Sequence, residues 1–101
     1  MDIVYTALTR RHTRTDRGDR AEVGEVVEVL WAHAEPVDRL EHAGGRAEPD
    51  RIDLLLFLLP DGDAGTSAEH RAAELLRRAH RASPLLRDRY LPPPSSAGPG
   101  R

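Results

Sequence analysis

The chain has 101 residues, enough for one domain around one modest core. Apolar residues make up 39% and charged residues 32%, and the net charge of -2 gives no global attraction to nucleic acid or to an anionic membrane. There is no cysteine, which excludes a disulfide framework and thiolate metal sites, and no apolar run approaches the ~20 residues that span a bilayer.

All fifteen basic residues are Arg, and Lys, Asn and Gln are absent. Such usage fits a G+C-rich bacterial genome, so an Arg here is weak testimony that a guanidinium fork is needed. Asp2 and Tyr5 interrupt the first apolar stretch, which therefore does not read as a signal peptide. The expected location is the cytoplasm.

Asp2–Leu8 reads as a short strand, with Ile3, Val4 and Tyr5 as β-formers. Thr9–Arg20 is a polar loop rich in Arg. Ala21–Glu35 carries Val23, Val26, Val27, Leu30, Trp31 and Ala34 on one stripe of a 3.6-residue period, which predicts a helix ended by Pro36. Asp19 and Glu22 have capping-box spacing at its start.

Val37–Ala47 reads as a second strand, with Gly44-Gly45 marking a bulge or an early turn. Glu48-Pro49-Asp50 is a turn. Arg51–Leu59 is the third strand, closed by Pro60. Within it Leu54, Leu56 and Leu58 face one way and Leu55, Phe57 and Leu59 the other, so both faces are apolar and both need cover. Thr66–Ser83 is a second helix, with a capping box at Thr66 and Glu69 and a buried stripe of Ala68, Ala72, Leu75, Leu76 and Ala79. Glu74 and Arg78 stand at the i,i+4 spacing of a helical ion pair. Arg87–Leu91 is the candidate for a short edge strand, and Pro92–Arg101 reads as a disordered tail after a single domain of residues 1–91.

The expected fold is therefore α+β: a small two-layer split βαβ, or ferredoxin-like, sandwich in the order β-α-β-β-α, with a fourth strand as an option. Its two helices cover one face of an antiparallel sheet and leave the other bare. Ile52, Leu54, Leu56 and Leu58 are expected beneath Val27, Leu30, Trp31, Leu75 and Leu76. Leu55, Phe57 and Leu59, with Tyr5, are then the contact surface of a homodimer or small homo-oligomer, or of a protein partner. The competing expectation is that Leu85, Leu86, Tyr90 and Leu91 fold over that face.

A second candidate is the basic loop, where Arg10, Arg11, His12, Arg14, Arg17 and Arg20 lead into a helix N-terminus able to hold an anion or nucleotide. No aromatic residue accompanies this charge, which argues against nucleic acid. The middle of the chain is acidic and its flanks basic, so Glu25 and Glu28 are expected to face Arg77 or Arg81 across the helix pair.

The five histidines show no H-x-H or i,i+4 pairing with one another, so no local metal motif exists, and no cofactor is implied. Ser67, Ser83, Ser95 and Ser96 lie at caps or in the tail, not on a nucleophile elbow. The leading expectation is a non-enzymatic interaction module. A small enzyme or ligand-binding protein of the same fold is the alternative, with His12, Tyr5 and His42 as its polar groups.

Overall fold

The computed structural model describes residues 1–13, 20–60 and 67–94. Three eight-residue strands form one sheet: β1 (Asp2–Thr9), β2 (Leu40–Ala47) and β3 (Arg51–Leu58). Their order is β1-β3-β2, and both outer strands run antiparallel to β3. The strands β1 and β2 are thus parallel to each other with β3 inserted between them. Helix α1 (Arg20–His33) makes the crossover, and α2 (Ala68–Ala82) and the short α3 (Pro84–Arg89) complete the layer on the same face. No described helix is long and apolar enough to cross a membrane.

The period-two pattern of β3 sorts its side chains cleanly. Ile52, Leu54, Leu56 and Leu58 are buried beneath the helices with Val4 and Leu8 of β1, Val26 and Leu30 of α1, and Leu75, Leu76 and Ala79 of α2. On β2 the matching inward positions hold Ala43 and Ala47. Gly45 lies between them, opposite Leu54. A Cβ at Gly45 would stand 2.3 Å from the Asp53 carbonyl oxygen, so the close approach of β2 to β3 requires glycine there.

Several expected elements are corrected. The strand expected from Val37 begins only at Leu40, because Pro36–Asp38 forms a 3₁₀ turn. Pro36 suits its first position, and the Asp38 carboxylate accepts the Glu35 backbone N–H at 2.7 Å. Arg39 then takes a left-handed conformation (φ 57°), which re-aims the chain into β2. The irregularity in β2 falls between Leu40 and His42, not at the glycine pair.

The segment Arg87–Leu91 is not a strand. Ser83 ends α2 and also caps α3, its Oγ accepting the Leu86 N–H at 3.2 Å, and Pro84 fits the first turn of the new helix. Among the described residues a single antiparallel bridge, Arg10 to Tyr90, remains beside β1. The ferredoxin-like expectation is met at the level of a three-stranded antiparallel sheet with two main helices.

Ser67 is the N-cap of α2, with Oγ accepting the His70 N–H at 3.0 Å. Thr66 and Asp19, named above as caps, lie outside the described residues, as do the tail positions 95–101. In α1 the buried line is Glu22, Val26 and Leu30, and Trp31 is 44% exposed instead of in the core. Tyr90 and Leu86 are fully buried on the helix side of the sheet. Those two side chains therefore do not cover the opposite face.

Candidate interaction surface

The face of the sheet away from the helices presents the odd-numbered positions of β1 and β3 and, on β2 beyond its irregularity, His42, Gly44 and Arg46. Strand register lays them out in cross-strand rows: Ile3, Phe57 and His42; Tyr5, Leu55 and Gly44; Ala7, Asp53 and Arg46. Tyr5 is 82% exposed and Ile3 49%, unusually high values for apolar side chains in the middle of a strand. Leu55, Phe57 and Leu59 are each half-buried among their neighbours. The His42 and Phe57 rings meet at a centroid distance of 5.3 Å and a tilt of 57°.

The surface is apolar at one end and charged at the other. At the charged end Asp53 accepts Arg51 Nε at 2.7 Å. Between Tyr5 and Arg46 runs a shallow groove of about 380 Å³, floored by Thr6, Gly45, Leu54 and Leu55. All four expected interface residues, Tyr5, Leu55, Phe57 and Leu59, belong to this part of the molecule. Leu59 sits just past the end of β3, where its N–H donates to the Arg39 carbonyl and its own carbonyl accepts Arg71 Nη1.

The basic segment is arranged differently from the expectation. Arg10 is not in a loop but at the end of β1, where it is bridged to Tyr90. Its guanidinium grips Glu22 with two hydrogen bonds of 2.6 and 2.9 Å, and Nε donates to the Glu48 carbonyl. Both side chains of this pair are about 95% buried, at 5% and 6% exposure. The Tyr90 hydroxyl also donates to Glu22. The hydrogen bond and charge of Glu22 raise the Arg10 pKa further above its ordinary value. Burial, then the bond to Glu22, pushes the Tyr90 phenol well above the usual tyrosine range.

Arg11 is likewise engaged, its Nε donating to the Arg87 carbonyl at 2.7 Å. His12 and Arg20 are exposed, and Arg14 and Arg17 lie outside the described residues. A cleft of about 520 Å³ does open here, lined by Arg10, His12, Ala21, Glu22, Glu25, Asp88 and Arg89. Its three carboxylates offset its two guanidinium groups, and Glu25 and Arg89 pair across it at 2.7 Å. Glu25 therefore faces Arg89, not Arg77 or Arg81. His12 lines this cleft, whereas Tyr5 and His42 project from the open sheet face, so the three polar groups of the enzyme alternative do not converge.

A second buried ionic cluster had no signal in local sequence. Asp38, on the 3₁₀ turn, accepts Arg78 Nη1 at 2.9 Å and Nη2 at 3.2 Å, and Nη1 also donates to the His33 carbonyl. Arg71, two turns earlier on α2, donates to the Asp38 and Leu59 carbonyls, both at 3.0 Å. Arg78 is thus drawn away from Glu74, which pairs with Arg77 instead. His80 is buried, with Nε2 donating to the Tyr90 carbonyl at 3.0 Å. Among the described residues no group of three His, Asp or Glu side chains could hold a metal ion.

In comparisons with known proteins, no protein family, no curated protein and no solved structure matches this chain.

Proposed function

We propose that this chain is a non-enzymatic interaction module, a cytoplasmic domain that self-associates through its open sheet face and offers the same face to a protein partner. We read its architecture as a three-stranded variant of the ferredoxin-like sandwich. The observation that carries the reading is the exposure of Tyr5 and Ile3 beside Leu55 and Phe57 on a strand-built, rigid surface.

Area supports a modest contact. Three strands of eight residues, at ~4.8 Å spacing and ~3.3 Å rise, make a face of about 26 by 14 Å. Side-chain relief brings this to roughly 500 Å² per protomer, so two copies bury about 1,000 Å², the lower bound of specific interfaces. Shape supports a symmetric one. Tyr5 stands proud on one side of Leu55 and Gly44 leaves a hollow on the other. A two-fold axis along β3 seats each Tyr5 over Gly44 of the other copy.

The test is sedimentation of the pure protein from low to high micromolar concentration, with Phe57→Glu as the variant. The expected result is a wild-type mass that rises with concentration and a variant that stays folded with this association lost. A wild-type protein that remains monomeric throughout overturns the reading.

A further inference from the structure

We propose that the outer edge of β1, which no described residue hydrogen-bonds from Ile3 to Ala7, is a second contact surface, which pairs antiparallel with β1 of another copy of this chain and extends the sheet from three strands to six. This inference rests on backbone hydrogen bonding and is independent of the open sheet face.

The direction of each backbone group in β1 follows from its partners. Arg10 N–H donates to the Asp50 carbonyl, in register with the β1–β3 ladder, so even-numbered residues turn their backbone groups toward β3. Odd-numbered residues turn outward: Thr9 carbonyl accepts the Leu91 N–H, and Arg11 N–H donates to the Arg89 carbonyl. The N–H and C=O of Ile3, Tyr5 and Ala7 therefore point to the outer edge, and no described residue hydrogen-bonds them.

The chain's own described backbone hydrogen bonds along this edge end at Leu91. After the Arg10–Tyr90 bridge and the Leu91 bond, the next donor that an antiparallel strand would supply is residue 93, to the Ala7 carbonyl. Residues 92, 93 and 94 are all proline and have no N–H to give.

The two edges of the sheet are unlike. The outer edge on β2 carries an irregularity at Leu40/His42, two glycines, Glu41 and Arg46, all features that discourage strand addition. From Ile3 to Thr9, β1 has no charge, no proline and an unbroken register with β3. Over this stretch it lacks the charges, prolines and bulges that commonly protect edge strands.

A second copy of β1 fits this edge better than a foreign segment does. Antiparallel pairing centred on Tyr5 sets Ile3 opposite Ala7, Tyr5 opposite Tyr5, and Ala7 opposite Ile3. The outward N–H and C=O of Ile3, Tyr5 and Ala7 on both strands then find partners, and no charge meets a like charge. Taken alone the edge pairing is a closed two-fold, and the protected β2 edges offer no further strand addition to the six-stranded sheet.

The test reads amide hydrogen exchange by NMR on the full chain, at about 500 µM and about 10 µM. Protection of the Ile3, Tyr5 and Ala7 amides is expected at the higher concentration, falling on the order of tenfold or more on dilution. Exchange at one rate across the range overturns the proposal. Ala7→Pro removes an outward N–H that the monomer does not use, so it should leave the circular dichroism unchanged and abolish the protection at Ile3 and Tyr5. If this variant fails to fold, the wild-type dilution series decides alone. Phe57→Glu separates the two surfaces: retained protection supports the edge pairing even where the face contact has failed, whereas loss of protection in the folded variant assigns it to the face and overturns the edge.

Discussion

The Tyr90 hydroxyl donates to the carboxylate of Glu22, 68 positions earlier in the chain, while Arg10 holds the same carboxylate through both its terminal nitrogens. The start of α1, the end of β1 and the segment after α3 are pinned at this one buried point. Removing one partner of a buried ion pair leaves the other charge uncompensated, at a cost of about 3–5 kcal/mol. Glu22→Ala should lose that much in urea denaturation. The double variant Glu22→Leu with Arg10→Met, which removes both charges, should recover most of the loss.

Tyr90 predicts a pH dependence with a definite sign. The buried phenol holds its proton more tightly in the folded chain than in the unfolded one, where it titrates near pH ~10. Above about pH 10 the unfolded state alone releases this proton, so stability should fall by up to ~1.4 kcal/mol per pH unit. The stabilisation is fully present below that pH. Tyr90→Phe should remove this component of the alkaline slope. It should also cost about 1.5–3 kcal/mol at neutral pH, the value of a hydrogen bond to a charged group. Urea midpoints of the two proteins at pH 8 and pH 10.5 check both statements.

What was legible in the sequence was whatever has a period. The alternation in Arg51–Leu58 defines β3 and its two apolar faces, and the α2 stripe of Ala68, Ala72, Leu75, Leu76 and Ala79 is buried. The face of β3 expected beneath the helices, Ile52, Leu54, Leu56 and Leu58, is the one buried, although both faces are apolar and a one-residue slip would exchange them. The small residues Ala43, Gly45 and Ala47 on the neighbouring β2 stand on the covered side. Ionic contacts between distant segments leave no local pattern. Glu22 looked like the second member of a capping box, and Arg10 like a loop cation; their burial together moves the inward line of α1 and turns Trp31 outward. Arg87–Leu91 shows the same limit, since Ser83 and Pro84 start a helix more strongly than five residues can make a strand.

Asp38 and Arg78 form the second anchor, holding the 3₁₀ turn and the entry to β2 against α2. The Asp38 carboxylate pulls the Arg78 pKa further up through paired hydrogen bonds, so the charge is retained at any working pH. Asp38→Ala should cost about 3–5 kcal/mol. Because about 1 kcal/mol moves the melting temperature of a domain this size by ~4–8 °C, the loss is readable in a thermal scan. Arg78→Lys keeps the charge but cannot span both carboxylate oxygens and the His33 carbonyl together, so it should recover only a minor part of what Arg78→Ala loses.

The adjacent glycines of β2 should respond to the same substitution in opposite ways. At Gly45 a methyl group would stand 2.3 Å from the Asp53 carbonyl oxygen and 3.2 Å from Leu54 Cδ2, and the backbone oxygen cannot move without opening the β2–β3 ladder. Gly45→Ala should therefore destabilise by about 1–3 kcal/mol, the usual cost of overpacking. At Gly44 a Cβ meets nothing within 4 Å. Gly44→Ala should be neutral or stabilise by about 0.4–1 kcal/mol, through the lower entropy of the unfolded chain. A larger side chain at Gly44 should leave the fold intact while filling the hollow proposed to receive Tyr5. Gly44→Leu is thus expected to melt near the wild-type temperature and yet sediment as a species of lower mass. A Gly44→Leu protein that associates as strongly as wild type would place the face contact elsewhere on the sheet.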